Sequence, residues 1–74
     1  MEAKQMFEKL GYSIHLNDEY EFSYLNEKDD KEITFFYEDI KVWVYNPENC
    51  DAPVEINMDL LRAINKQCEE LEWI

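Results

Sequence analysis

The stretch Glu32-Ile33-Thr34-Phe35-Phe36-Tyr37-Glu38-Asp39-Ile40-Lys41-Val42-Trp43-Val44-Tyr45 decides the fold. Its first half is β-branched and aromatic, Glu38-Asp39 marks a tight turn, and Ile40 to Tyr45 resumes the same character until Asn46-Pro47 stops it. A two-residue turn at Glu38-Asp39 sets Tyr37 opposite Ile40, Phe35 opposite Val42 and Ile33 opposite Val44. Side chains alternate along a strand, so Ile33, Phe35, Tyr37, Ile40, Val42 and Val44 share one side of the sheet. Thr34, Phe36, Lys41, Trp43 and Tyr45 then fall on the other. Glu-Asp is not a strong primed-turn sequence, and a longer loop would shift this pairing.

On the N-terminal side, Tyr20, Phe22 and Tyr24 alternate with Glu19, Glu21 and Ser23, giving a half-buried strand that ends in the polar loop Asn26 to Lys31. Its apolar residues join the Ile33 side, while Glu21, Ser23 and Leu25 join the Trp43 side. Three sequential strands joined by short turns form an antiparallel meander. Tyr12, Ile14 and Leu16 alternate with Ser13, His15 and Asn17, which suits a brief extended segment leading into an Asn17-Asp18 turn.

Helices flank the meander. Ala3, Met6, Phe7 and Leu10 recur at the spacing of one helical face, and Gly11 stands where a left-handed C-cap is wanted. Beyond the Asn46 to Pro53 loop and a short extended piece at Val54-Glu55-Ile56, Asn57 caps a second helix with Asp59 in its first turn. Leu60, Leu61, Ile64, Cys68 and Leu71 form its apolar stripe, with Arg62, Lys66, Glu69, Glu70 and Glu72 pointing away. The expected fold class is α+β: one domain over residues 1–74, a two-layer α-β-β-β-α sandwich with a three-stranded antiparallel meander and both helices on one face.

Composition bounds the rest. Seventy-four residues support one core at most, and 46% hydrophobic with 15% aromatic residues make that core dense. Eighteen acidic residues against seven basic ones give a net charge of -11. Direct nucleic-acid binding and anionic membranes are disfavoured, because both need Lys and Arg against phosphate. A basic protein surface suits such a field, as does a role in which the chain stands in for DNA. The first residues lack the basic and long apolar regions of an export signal, and no apolar run is long enough to span a bilayer, so a cytoplasmic location is expected. Cys50 and Cys68 form no CxxC pair and have no nearby histidine, so both are read as reduced thiols.

Chemistry-bearing motifs are missing from the chain: there is no GxSxG, P-loop or HExxH, and His15 has no nucleophile placed beside it by a local motif. The acidic pairs Asp18-Glu19, Asp29-Asp30 and Glu38-Asp39 read as solvated turns, since lysines interrupt the carboxylate spacing that a calcium loop needs. No catalytic residue, cofactor or metal is expected, and a small enzyme using His15 or tyrosine side chains is the weakest reading. The Leu61, Ile64, Cys68, Leu71 spacing reads as packing on the sheet, because too few heptads are present for a coiled coil. The anomaly is the second face of the sheet, where Leu25, Phe36, Trp43 and Tyr45 form a candidate partner-binding surface. A loop folded over these rings, or a homodimer formed through them, accounts for the same side chains.

Two stretches carry a resemblance: Met6-Phe-Glu-Lys-Leu-Gly-Tyr12 near the start, and Leu61-Arg-Ala-Ile-Asn-Lys-Gln-Cys-Glu-Glu-Leu-Glu-Trp73 at the end. The chain resembles small uncharacterised proteins encoded by phages and prophages of Gram-positive bacteria, which often open and close with such helices around a variable aromatic sheet. Those proteins tend to place glycine before the terminal tryptophan, where this chain has Glu72. The resemblance implies a mobile-element origin and a bacterial cytoplasm, and it brings no catalytic residues.

Overall fold

The computed structural model describes all residues, 1–74. Helix α1 (Ala3–Lys9) leads into strands β1 (Ser13–Asn17), β2 (Glu21–Asn26), β3 (Lys31–Phe36) and β4 (Lys41–Tyr45), and helix α2 (Met58–Glu70) closes the chain. The strands pair antiparallel in the order β1-β2-β3-β4. The α+β class stands as expected, but the meander has four strands rather than three. The fourth strand comes from the alternating segment after Gly11, whose pairing with β2 the sequence does not show: β1 joins β2 through a bulge between Ile14 and Leu16. The bulge sends Ile14 to the side of Tyr24 and Leu16 to the side of Ser23.

The β3–β4 register is the expected one, with Ile33 opposite Val44 and Phe35 opposite Val42. The turn is wider than two residues. Pairing ends at Phe36 and Lys41, and four residues, Tyr37 to Ile40, make the loop. Ile40 closes it in the left-handed region at φ 50, as Asp30 closes the β2–β3 loop at φ 49. This geometry overturns two core assignments. Ile40 is turned out to 62% exposure, and Tyr20, which lies before β2 begins, is 66% exposed. Val54 to Ile56 adds no strand.

Phe7, Tyr12, Phe22, Tyr24, Ile33, Phe35, Leu60 and Ala63 form the buried core, so both helices lie on the Phe22–Phe35 face. Phe7 stacks on Tyr24 with ring centroids 3.9 Å apart and meets Tyr12 and Phe35 edge-on at 5.7 and 6.4 Å. On α2 the buried stripe is Leu60, Ala63 and Gln67, with Ile64, Cys68 and Leu71 partly buried beside it. The expected stripe erred at Leu61, which is exposed. Gln67 joins the buried stripe although it is polar. The Tyr24 hydroxyl donates to Gln67 Oε1 at 2.8 Å, which satisfies both groups inside the core. Glu70, expected to point away, instead reaches back to accept from the Ala3 N–H at 2.7 Å at the start of α1. The carboxylate thereby meets the positive end of that helix.

The helix ends repeat one device. After α1, the Gly11 N–H donates to the Glu8 carbonyl and the Tyr12 N–H to the Phe7 carbonyl, both at 3.0 Å. After α2, the Glu72 N–H donates to the Glu69 carbonyl at 3.0 Å and the Trp73 N–H to the Cys68 carbonyl at 2.9 Å. This is the paired bonding of the Schellman motif, which needs a left-handed residue: Gly11 at φ 94 and Glu72 at φ 62. Each motif delivers the ring that follows it to the core, Tyr12 onto Phe7 and Trp73 toward Phe35, whose centroids lie 6.2 Å apart. Gly11 has a second reason to be glycine, since a Cβ there would sit 3.2 Å from Asn26 Nδ2. That amide donates to the Leu10 carbonyl. The cap therefore forms without glycine at position 72, at the cost of a left-handed glutamate. At the other helix start, Asn57 caps α2 as expected, its side chain accepting from the Leu60 N–H at 2.8 Å.

Two outcomes follow from this packing. Glu72→Gly relieves the left-handed side chain and raises unfolding stability by about 1 kcal/mol, read by urea titration; a loss would mean the Glu72 side chain contributes more than its backbone conformation costs. Burial first, then the charge of Asp29, pushes the Tyr12 phenol from 10.0 up to about 12, and burial with the charges of Glu70 and Glu8 does the same for Tyr24. The folded chain holds both protons more tightly than the unfolded one, so this contribution is intact below pH 10 and is lost as pH rises from 10 to 12. Tyr12→Phe flattens that fall in denaturation melts followed across the same range, and an unchanged profile would mean Tyr12 ionises freely in the folded state.

Candidate partner-binding face

The two helices cover one side of the sheet, and the other side carries no secondary-structure element. The ladder arranges that open face in rows. One row runs Ser13–Leu25–Glu32–Tyr45, the next Leu16–Ser23–Thr34–Trp43, and a third Glu21–Phe36–Lys41. Leu25, Phe36, Trp43 and Tyr45 all lie on this face, as the alternation of the sequence requires. The structure does not gather them equally. Phe36 and Trp43 form an edge-on pair with centroids 5.0 Å apart, whereas Leu25 and Tyr45 are separated in their row by Glu32.

Trp43 is the exposed member, at 53% of its surface, while Leu25, Phe36 and Tyr45 are half-buried. The loop after β4 therefore does not seal the Trp43 ring. Lys41 places its ammonium 5.4 Å from the Phe36 centroid and 5.2 Å from the Trp43 centroid, and it also pairs with Asp39 at 3.4 Å. A cation–π contact of this kind adds a modest attraction between the ammonium and the faces of the two rings. Leu16 belongs to the same face and was missed by sequence reasoning, because only the β1 bulge brings it there.

Between these rings the floor is polar. Thr34 is buried, with its Oγ1 3.4 Å from the Tyr45 hydroxyl. Burial pushes the Tyr45 phenol above its ordinary value; the Thr34 contact opposes that rise, and the neighbouring Glu32 and Glu21 reinforce it. Ser23 has no exposed surface, and its hydroxyl has no hydrogen-bond partner. An unpaired buried hydroxyl lowers stability, because its hydration is given up for nothing.

At the β2–β3 turn end of the face, His15, Leu25, Glu27, Asp30, Glu32, Pro47 and Glu48 line an open depression of about 490 Å³. Four of its lining side chains are carboxylates, so the depression is acidic. His15 itself is exposed at the bulge of β1. No group of three or more His, Cys, Asp or Glu side chains is arranged to hold a metal ion. Cys50 is exposed in the loop after β4, and Cys68 is half-buried on α2, where burial pushes its thiol up and makes it less nucleophilic. No helix is long and apolar enough to cross a membrane.

Charge is divided unevenly over this architecture. Residues 11–57, which hold the sheet and its loops, carry twelve acidic and three basic side chains, a net of -9. The helical segments 1–10 and 58–74 together carry six and four, a net of -2. Compared with models of protein families, with curated proteins and with solved structures, the chain finds no match in any of the three.

The floor of the face offers its own check. Ser23→Ala removes the unpartnered hydroxyl and raises the unfolding free energy by about 1 kcal/mol in urea titration. Destabilisation of that size would show that the hydroxyl is hydrogen-bonded in solution.

Proposed function

We propose that this chain is a non-enzymatic accessory protein that works by holding another protein against the open face of its sheet, through Trp43 and Phe36 with Leu25 and Tyr45 beside them. The observation that carries this reading is Trp43: a large ring left half-exposed against Phe36, on a sheet face that neither helix covers. Aromatic side chains in such positions supply much of the energy of protein–protein contacts, because they bury large rigid surfaces at little entropic cost. The resemblance of its two helical ends to small phage and prophage proteins gives the setting, a bacterial cytoplasm in which the partner is a phage or host protein.

A second reading has a specific observation in its favour. With nine of the eleven net negative charges on residues 11–57, the sheet side can serve as an acidic inhibitor that occupies the site of a nucleic-acid-binding protein, in the manner of a DNA mimic. It differs from the first reading in that its partner would be displaced by DNA and would dissociate steeply with salt.

The test is a paired capture from bacterial lysate with the native chain and with Trp43→Glu as bait. The variant places a charge on the surface and keeps its helical and sheet circular dichroism, yet loses the partner that the native chain retains. Retention of that partner by the folded variant, or a turnover activity in the purified chain, overturns the proposal. Unfolding of the variant would show that Trp43 belongs to the core.

A further inference from the structure

We propose that β4 is a docking edge, taking an extended cationic segment of the partner protein as a fifth strand of the sheet. The inference rests on the reading of the open face as a partner surface and adds the main-chain geometry and chemistry of what lies there.

The backbone supplies the first part. β4 is the last strand of the sheet, and the main chain of Lys41–Tyr45 hydrogen-bonds to β3 alone; no turn, loop or side-chain bond reaches its outer edge. Folded chains usually guard such an edge with a bulge, a proline or an inward-pointing charge. β1, at the opposite edge, carries the bulge between Ile14 and Leu16. β4 is regular and free of proline; Lys41 at its start is its one charged residue, and the rest of it, Val42, Trp43, Val44 and Tyr45, consists of residue types that favour pairing. An edge of this kind accepts a strand through main-chain bonds, with specificity set by alternate side chains.

Those side chains differ on the two faces. Val42 and Val44 are half-buried on the helix side and would lie beside apolar residues of the added strand. Lys41, Trp43 and Tyr45 lie on the open side, where the Phe36–Trp43 pair already hosts one ammonium at little more than 5 Å. The surrounding charge favours a second cation. Between Glu32 and Asn57, Lys41 is the one basic residue against six acidic ones, with Glu38 and Asp39 before the strand and Glu48 and Asp51 after it. The segment that fits is therefore extended, with apolar and basic residues in alternation.

A second copy of the chain fits less well. Antiparallel pairing of β4 with itself about Trp43 would set Glu38 opposite Glu48 of the copy at both ends. It would also bring together two molecules of net charge -11.

The experiment titrates the intact chain with a short blocked peptide alternating lysine with valine, and separately with its glutamate–valine counterpart. Binding is followed by Trp43 and Trp73 fluorescence, and the site by amide hydrogen exchange. The lysine peptide is expected to bind, to slow exchange at Lys41–Tyr45, and to lose about tenfold in affinity between low and high salt. The double variant Glu38→Gln, Glu48→Gln, altered only at exposed loop positions, weakens it severalfold without changing the fold. The proposal is overturned by equal binding of the glutamate peptide, by no binding of either, by protection at β1 or the helices instead of β4, or by a dimer in light scattering whose β4 amides are already slow to exchange without peptide. A partner captured through Trp43 that leaves the β4 amides unprotected would remove this inference and leave the open-face reading standing.

Discussion

Phe7 lying flat on Tyr24 is the contact on which the structure depends. It joins the first helix to the second strand, and the Tyr24 hydroxyl carries the connection on to Gln67 of the second helix. One aromatic cluster thus binds both helices to the same side of the sheet. A chain of this length has two short helices to spend on covering a four-stranded sheet, and both are needed on the side where Phe22, Tyr24, Ile33 and Phe35 converge. The opposite side is left open by the same constraint, whatever residues it bears.

The two helix ends show how backbone geometry serves this cluster. In each, a left-handed residue turns the chain so that the next side chain, Tyr12 or Trp73, folds back toward the core. The segments Phe7-Glu8-Lys9-Leu10-Gly11-Tyr12 and Cys68-Glu69-Glu70-Leu71-Glu72-Trp73 are the same device written twice, once with glycine and once with glutamate at the left-handed position. That a glutamate holds this conformation is a sign that the bonds and the ring it delivers outweigh its steric cost.

The uncovered face combines three properties that separate it from an ordinary solvated surface. It exposes a large aromatic ring, it ends in a carboxylate-lined depression, and it runs to a sheet edge whose main chain is free of further pairing. The helical side is close to electrically balanced by comparison, since most of the net charge resides on the sheet and its loops. Apolar attraction and electrostatic steering therefore point to the same region of the molecule.

Much of this was legible in the chain itself. The alternating direction of side chains from Glu32 to Tyr45 sorts β3 and β4 into two faces, and pairing centred on Glu38-Asp39 gives their register, with large apolar groups left on both faces. The Asn57 cap, the Gly11 turn and the placement of Phe36, Trp43, Tyr45 and Leu25 on a common face follow from equally local rules. What the tertiary structure alone decided are features whose causes are not local. The β1 bulge that brings Leu16 to the open face exists only against β2, and the four-residue turn that expels Ile40 is settled by where the ladder ends. Gln67 is buried because Tyr24 waits opposite it, and Glu70 turns inward because the start of α1 lies beside it. Periodicity tells which residues share a face; which partner each one meets depends on segments far away in the chain.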